Sequence, residues 1–213
     1  MRGLVRVGAA VPSLALGNVK ENMKRHLAMM REAKEKHVSI VTFPELSLTG
    51  YTCGDLFFQR RLLDDVTDAL LTLKDEMPEE IIAVVGAPLE IEGALYNCAV
   101  VLHKGEIISA VPKTFLPNNG EFYEKRWFQS GDARRDAWVA IPKLKTNVCR
   151  QAIFETEDGV RFGIELCEDL WAPLPPSTML SVEGAEIILN LSASNELLSK
   201  REYRQQLISQ QSC

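Results

Sequence analysis

Short apolar runs rich in β-branched residues alternate with amphipathic helical segments, and this alternation restricts the fold of the chain more than any other feature. Residues 4–11 predict a first strand, and residues 38–43, which Pro44 ends, predict a second. Between them, Asn18 is a candidate N-cap residue, and Glu21 follows it at the spacing of a capping box. Strand, helix and strand in this order open a layered α/β domain.

The segment after Asn18 has the residue spacing of an amphipathic helix. Its apolar residues recur at intervals of three and four, and charged residues cover the opposite side. The apolar positions are Val19, Met23, Leu27, Met30 and Ala33. Residues 62–77 predict a second amphipathic helix, so the first third of the chain already supplies two helices to the α/β layers.

The rest of the chain predicts further strands, most of them arranged in hairpins around short polar turns. The predicted strands are residues 81–91, 96–103, 106–111, 153–156, 160–166 and 186–191, and two more helices are predicted over residues 177–183 and 195–210. A long polar segment, from residue 113 to about residue 136, separates the two hairpins. Its aromatic residues favour an ordered loop, and long irregular segments inside compact domains are usually functional or disordered.

The charge balance and the spacing of cysteines and histidines exclude several classes of protein. The net charge of -5 argues against a nucleic-acid-binding surface. No apolar run reaches the roughly 18 residues that a membrane span needs. Three histidines and five cysteines (Cys53, Cys98, Cys149, Cys167 and Cys213) show no metal-ligand spacing, so we expect neither a metal nor a cofactor in this chain. Free thiols favour a reducing, cytoplasmic location.

Reactive side chains stand just past the ends of three predicted strands. They are Glu45, Lys113 and Cys167. Strand ends are where sites assemble in layered α/β folds, because the sheet fixes positions while the loops supply chemistry. Taken singly, each has an ordinary explanation: a solvated carboxylate, a surface lysine and an inert buried thiol.

Taken together, the three residues form a chemically complete set for attack on an amide. Cys167 supplies a nucleophile, and we expect Lys113 to lower its pKa. Glu45 can take the thiol proton and pass it to leaving ammonia, while the Lys113 ammonium can stabilise the oxyanion. No histidine is placed to act as the base, so a Cys-His mechanism is the weaker alternative.

Three segments that contain these residues resemble the signature segments of the nitrilase (carbon–nitrogen hydrolase) superfamily. They are residues 43–51 (FPELSLTGY), 112–117 (PKTFLP) and 165–171 (ELCEDLW). The resemblance implies an α-β-β-α sandwich that occupies residues 1–213 as one domain. It also implies a catalytic triad of Glu45, Lys113 and Cys167.

Four further segments are similar to the glutaminase domains of glutamine-dependent NAD synthetases: residues 51–57 (YTCGDLF), 121–128 (EFYEKRWF), 168–171 (EDLW) and 190–194 (NLSAS). In that family the domain hydrolyses L-glutamine and sends ammonia to a separate ATP-using domain, which amidates deamido-NAD. The resemblance therefore implies L-glutamine as the substrate and an ATP-using synthetase domain as the partner. It also implies self-association into a homo-oligomer.

The same resemblance implies roles for several residues outside the triad. Glu121 would help to hold the lysine and the nucleophile. Glu168, Ser194 and Lys200 would contact the head group and the carboxylate of glutamine. Asn119 occupies a position where many relatives are expected to have tyrosine, so the way in which this loop binds the substrate stays open.

The chain departs from the family pattern after Ser194. The family's amidase domain continues there with more strands, and no phosphate-loop sequence such as SGGxDS occurs in the chain. We therefore expect a sandwich truncated at its C-terminal end, without the ATP-dependent synthetase domain. Two alternatives remain: an amidase of the same superfamily that acts on another small amide, nitrile or carbamoyl compound, and a catalytically inactive fragment that serves as an interaction module.

Overall fold

The computed structural model describes residues 4–133 and 139–212, and these ranges contain ten strands and four α-helices. The strands are β1 (Val7–Ala9), β2 (Ile40–Thr42), β3 (Ile82–Ile91), β4 (Ala94–His103), β5 (Glu106–Pro112), β6 (Val139–Ile141), β7 (Thr146–Val148), β8 (Ile153–Glu155), β9 (Arg161–Leu166) and β10 (Ile187–Leu191). The helices are α1 (Val19–Glu35), α2 (Arg60–Glu76), α3 (Pro176–Val182) and α4 (Lys200–Gln211).

The strands form two sheets. The larger is seven-stranded in the order β1-β2-β3-β4-β5-β7-β6, and the smaller is three-stranded in the order β10-β9-β8. Strands β1, β2 and β3 are parallel to one another, whereas β3, β4 and β5 form an antiparallel meander. In the smaller sheet β9 is parallel to β10 and antiparallel to β8.

The two sheets pack face to face between two layers of helices. Side chains alternate between the faces of a strand, so Val41 and Val85 pack against α1 and α2, while Ile40 and Val84 pack against the small sheet. Helix α3 covers the outer face of the small sheet so closely that a Cβ atom on Gly163 would lie 2.8 Å from the Leu180 side chain. This four-layer arrangement confirms the α-β-β-α sandwich.

The first helix begins where the capping signal predicts. The side chain of Asn18 accepts a hydrogen bond from the backbone N–H of Glu21 at 3.1 Å, and α1 follows it directly. Of the predicted apolar positions, Val19, Leu27, Met30 and Ala33 are buried and Met23 is partly buried. Local capping and the burial of one face therefore agree, which is why this element is predictable from sequence.

Two parts of the fold differ from the prediction. The last helix begins at Lys200 rather than at residue 195, because Ser199 adopts a left-handed conformation with φ +63° and Asn195 uses its side chain to contact Glu121. Strands β6 and β7 are not predicted, and the structure defines them by their antiparallel pairing with each other. The predicted end of the long loop, Asp136, lies outside the described residues.

The other predicted features can be compared with the structure only in part. Cys53, Cys98, Cys149 and Cys167 are buried and form no disulfide bond within the described residues, whereas Cys213 lies outside them. None of the helices in the described ranges has the length and apolar character that a membrane span requires. The extent of the domain over residues 1–213 and the cytoplasmic location stay predictions.

Candidate active site

Four strand ends converge at one edge of the sandwich. The segment after β2 supplies Glu45, the segment after β5 supplies Lys113 and the turn after β9 supplies Cys167, as the sequence predicts. The segment after β10 adds a backbone group, since the N–H of Ala193 donates to Oε2 of Glu45 at 3.1 Å. The site thus draws residues from both sheets and lies where the sheets meet.

Glu45 is held in a tight turn against the neighbouring strand β3. A Cβ atom on Gly86 would lie 2.3 Å from the carbonyl oxygen of Pro44 and 2.4 Å from the backbone nitrogen of Leu46, so only glycine permits this approach. The turn continues through Leu46, whose φ is +51°. Glu45 is 1% exposed, and its carboxylate points into the site.

Lys113 lies between two carboxylates, and all three side chains are buried. Its Nζ donates to Oε1 of Glu45 at 2.6 Å and to Oε1 of Glu124 at 2.6 Å, and the lysine side chain is 0% exposed. Burial alone would lower the pKa of the ammonium, but the charges of Glu45 and Glu124 outweigh burial and raise it above its ordinary value. Lys113 is therefore a fixed positive charge in the site.

The second carboxylate is Glu124, and this corrects the role expected for Glu121. Glu121 is exposed and contacts Asn195 rather than Lys113. Glu124, three residues later, is 1% exposed and begins the short 3₁₀ turn Glu124–Arg126. Both glutamates lie in the same polar segment, and the sequence carries no periodic signal there to show which one turns inward.

Two further residues complete the network and were not identified from the sequence. The hydroxyl of Tyr51 donates to Oε1 of Glu124 at 2.6 Å, and Nδ2 of Asn97 donates to Oε1 of Glu45 at 2.7 Å. Burial raises the pKa of Glu124, and Lys113 opposes this effect. The YNC segment of β4 could have signalled Asn97, because a fully buried asparagine inside an apolar strand needs polar partners.

Cys167 stands at the start of the turn that follows β9, in a strained backbone conformation with φ +44°. Its thiol contacts the Glu45 carboxylate and the backbone of Ala193. Burial, followed by the charge of Glu45, raises the pKa of the thiol to about 12, while Lys113 only partly opposes them. The expectation that Lys113 lowers this pKa below its ordinary value is therefore wrong: the resting nucleophile is a neutral thiol beside a carboxylate.

The residues assigned to substrate binding differ in their burial and in their contacts. Glu168 is half-buried and lines an open cavity of about 410 Å³ together with Trp171 and the segment that follows Lys113. Lys200 lies over the ring of Trp171, 5.6 Å from its centroid. Ser194 is half-buried, one residue after Ala193. Asn119 is exposed on the loop, where its carbonyl accepts from the N–H of Phe122 at 2.9 Å.

Across residues 4–133 and 139–212, no group of three or more histidine, cysteine or acidic side chains could hold a metal ion. The chemistry of the site rests on a thiol, two carboxylates and an ammonium. Such a set can add a sulfur nucleophile to a carbonyl carbon, move a proton and stabilise an oxyanion. The absence of a cofactor from this chain stays a prediction.

An α-β-β-α sandwich with a buried glutamate, lysine and cysteine at its strand ends has the architecture of the nitrilase superfamily. The chain belongs to the carbon-nitrogen hydrolase family, whose model matches residues 6–212.

Among curated proteins, the chain is similar to the glutamine-dependent NAD(+) synthetase of Mycobacterium tuberculosis, with 36% identity over 208 residues, which is 96% of this chain and 30% of the relative. Among solved structures, it is similar to a glutamine-dependent NAD(+) synthetase from Cytophaga hutchinsonii, with a TM-score of 0.82, 28% identity, and coverage of 96% of this chain and 33% of that one. An amidase of Nesterenkonia from the nitrilase superfamily shares the fold, with a TM-score of 0.77 at 16% identity, over 97% of this chain and 71% of that one. The chain spans about a third of the synthetases that it matches.

Proposed function

We propose that this chain hydrolyses the side-chain amide of L-glutamine through a thioester on Cys167, as the ammonia-supplying part of a glutamine-dependent NAD synthetase. The observation that carries the proposal is the position of the Glu45 carboxylate, which contacts both the Cys167 thiol and the Lys113 ammonium. One carboxylate can therefore accept the proton of the nucleophile beside a fixed positive charge that suits the oxyanion.

In the first half of the reaction, Cys167 attacks the carboxamide carbon of glutamine. Because the thiol is neutral at rest, its proton passes to Glu45 as the sulfur–carbon bond forms. The carbonyl oxygen becomes an oxyanion, which Lys113 and the backbone N–H groups that follow Cys167 stabilise. Glu45 then gives the proton to the amide nitrogen, the carbon–nitrogen bond breaks and ammonia leaves a γ-glutamyl thioester.

In the second half, water replaces ammonia. Glu45 takes a proton from water while the water oxygen attacks the thioester carbon. The second tetrahedral intermediate collapses, the carbon–sulfur bond breaks and the proton on Glu45 returns to the sulfur. Glutamate leaves, and the neutral thiol of Cys167 is restored. The same three residues thus act in both halves, with Glu45 alternating between base and acid.

The open cavity beside the Cys167 turn suits the zwitterionic end of glutamine. Glu168 on its wall can bind the α-ammonium group, and Lys200, which lies over Trp171, can bind the α-carboxylate. Ser194 follows the backbone N–H that contacts Glu45 and can donate a hydrogen bond to the same carboxylate. Asn119 lies on the exposed loop, and we assign it no more than an outer contact with the substrate.

We propose that the ammonia passes to an ATP-using NAD synthetase domain, which would use it to amidate deamido-NAD. This step is supported by the similarity to proteins named glutamine-dependent NAD(+) synthetases and by the length of those relatives beyond the matched part. We place the reaction in the cytoplasm and expect the protein to form a homo-oligomer, as the family resemblance implies.

Covalent labelling with a diazo-ketone analogue of glutamine tests the proposal, because labelling needs only one bond-forming event. We expect a single adduct on Cys167, protection by excess glutamine, and no adduct in Cys167→Ala. Cys149→Ala is the matched control, since Cys149 is a free thiol with the same 6% exposure. Labelling of other cysteines with equal efficiency, or no protection by glutamine, would contradict the proposal.

A pH titration followed by the ultraviolet absorbance of the thiolate tests the protonation state of Cys167. With a pKa of about 12, Cys167 should contribute no thiolate between pH 7 and about pH 10 in the difference between the wild type and Cys167→Ala. A thiolate that forms below pH 8 would mean that Lys113 dominates and that Glu45 does not act as the base in the attack.

A further inference from the structure

Asp169 is a buried carboxylate that the proposed mechanism does not use. It lies two residues after Cys167 and is 1% exposed. Its oxygens accept three backbone hydrogen bonds: from the N–H of Leu166 at 3.0 Å, from Thr114 at 3.1 Å and from Phe115 at 2.7 Å. A carboxylate accepts through both of its oxygens, as Asp169 does here, whereas an asparagine of the same size has only one acceptor oxygen.

The three donors lie beside the nucleophile and the ammonium. Leu166 directly precedes Cys167, and Thr114 directly follows Lys113. Leu166 ends β9 in the small sheet, whereas Lys113 follows β5 in the large sheet. One carboxylate therefore joins the nucleophile's turn to the segment that carries the ammonium, across the boundary between the two sheets.

This arrangement is unfavourable for the stability of the fold. Burial raises the pKa of Asp169 to about 7, against the hydrogen bonds from Leu166 and Phe115 and the charge of Lys113, while Glu165 adds to the increase. Because the folded pKa lies above the unfolded value, the stability contribution of Asp169 falls as the pH rises from about 4 to about 7. A buried carboxyl group that destabilises the fold, next to a nucleophile with a strained backbone, is typical of a functional site.

We propose that Asp169 is a positioning residue, which fixes the Cys167 turn to the Lys113 segment and so sets the alignment of the sulfur and the ammonium on the two sides of the amide carbon. This inference rests on the proposed amide hydrolysis for its catalytic meaning. The geometry itself concerns only the backbone that carries the two residues.

Asp169→Asn tests the proposal, with Glu165→Gln as the matched control. Glu165 is also 1% exposed and accepts two hydrogen bonds, from the N–H of Ser177 at 3.1 Å and from Asn190 at 3.2 Å, neither of which involves the Lys113 segment. Each variant replaces one acceptor oxygen by a donor. We expect kcat per titrated Cys167 to fall about 10- to 100-fold in Asp169→Asn, with KM within about twofold of the wild type, and to stay within about threefold in Glu165→Gln.

A second pair of variants leaves Asp169 untouched. Phe115→Pro deletes the N–H that makes the shortest of the three hydrogen bonds, whereas Phe115→Ala removes the half-exposed ring and keeps that N–H. We expect kcat to be lower in the proline variant than in the alanine variant, because both lose the ring, which lines the cavity, and only proline lacks the N–H. If Asp169→Asn does not fold, this pair decides the question.

The rate at which iodoacetamide alkylates Cys167 separates the positioning role from the proposed function, because it requires no glutamine. A slower rate in Asp169→Asn and Phe115→Pro, but not in their controls, supports the positioning role even if the wild type does not hydrolyse glutamine, a result that would count against the proposed function alone. Wild-type alkylation rates and wild-type kcat in both variants would overturn the inference.

Discussion

The two ends of the short turn Glu124–Arg126 each form an ion pair. The N···O distances of the two pairs are nearly the same, but one pair is buried and the other is exposed to solvent. Glu124 pairs with Lys113 at 2.6 Å, with side chains 1% and 0% exposed. Arg126 pairs with Asp55 at 2.7 Å, with side chains 54% and 60% exposed. Arg126 forms a bidentate ion pair with Asp55, and Nε1 of Trp127 donates a hydrogen bond to the same carboxylate at 2.9 Å.

The comparison shows that the surroundings of an ion pair, rather than its distance, decide what it can do. Water screens the outer pair, so its main effect is to attach the turn to the 3₁₀ segment Tyr51–Phe58. The inner pair is desolvated, so losing either partner leaves an uncompensated charge. Tyr51 belongs to the outer anchoring segment and also contacts Glu124, so the two regions are linked through one hydroxyl.

The largest effect should come from removing the inner ammonium. Lys113→Met leaves Glu45 and Glu124 buried without a cation, and we expect the free energy of unfolding to fall by about 3–5 kcal/mol. Glutaminase activity should fall on the order of 10²-fold or more, because the oxyanion loses its charged partner. Urea unfolding and ammonia release measure the two effects.

The pH dependence of the stability of Lys113→Met provides a second test of whether the inner pair is desolvated. Without Lys113, burial raises the pKa of Glu124 unopposed, so this carboxyl group holds its proton more tightly in the folded protein than in the unfolded chain. Its folded pKa then lies above the unfolded value of about 4.3, so the stability of the variant should fall as the pH rises above this value. A variant that is as stable at pH 8 as at pH 5 would show that water reaches the cluster.

A smaller effect should distinguish the two glutamates of the same segment. Glu124→Gln keeps the volume but removes the second negative charge beside Lys113, and we expect kcat to fall about 10- to 100-fold through misplacement of the ammonium. Glu121→Gln, the matched control on the exposed side, should keep kcat within about threefold of the wild type. Both kcat values are measured by ammonia release. Equal losses of kcat in the two variants would mean that the buried glutamate is no more important for activity than the exposed one.

The smallest effect should come from the outer pair. Asp55→Asn weakens the contact with Arg126, and we expect a small shift in the urea midpoint and a kcat within about threefold of the wild type, since exposed ion pairs contribute little. The shift should shrink further when the ionic strength is raised from about 0.1 M to about 1 M, because salt screens exposed charges. A loss of activity as large as that of Glu124→Gln would mean that the outer attachment, too, positions Lys113.

The convergence of Glu45, Lys113 and Cys167 was predictable because each of them lies within three residues of the end of a strand with a clear apolar pattern. Glu45, Lys113 and Cys167 stand at points where such a pattern stops, and the sheet brings these points to one edge. Glu124 lies in a segment without periodic residues, and the resemblance led to Glu121 instead. The direction of the Cys167 pKa was also missed, because burial acts through every atom that surrounds the thiol and a sequence does not list those atoms.

The sequence by itself determined the order of the helices and of all strands except β6 and β7, most of the turns between them and the residue types at the strand ends, because capping, periodicity and turn chemistry are local properties. Only the tertiary structure decided which carboxylate faces Lys113, that the thiol is neutral, and that Asp169 joins the two sheets. These properties depend on desolvation and on contacts between residues that are distant along the chain, such as Lys113 and Glu45, which are 68 positions apart. Such contacts exist only after the sheets have packed.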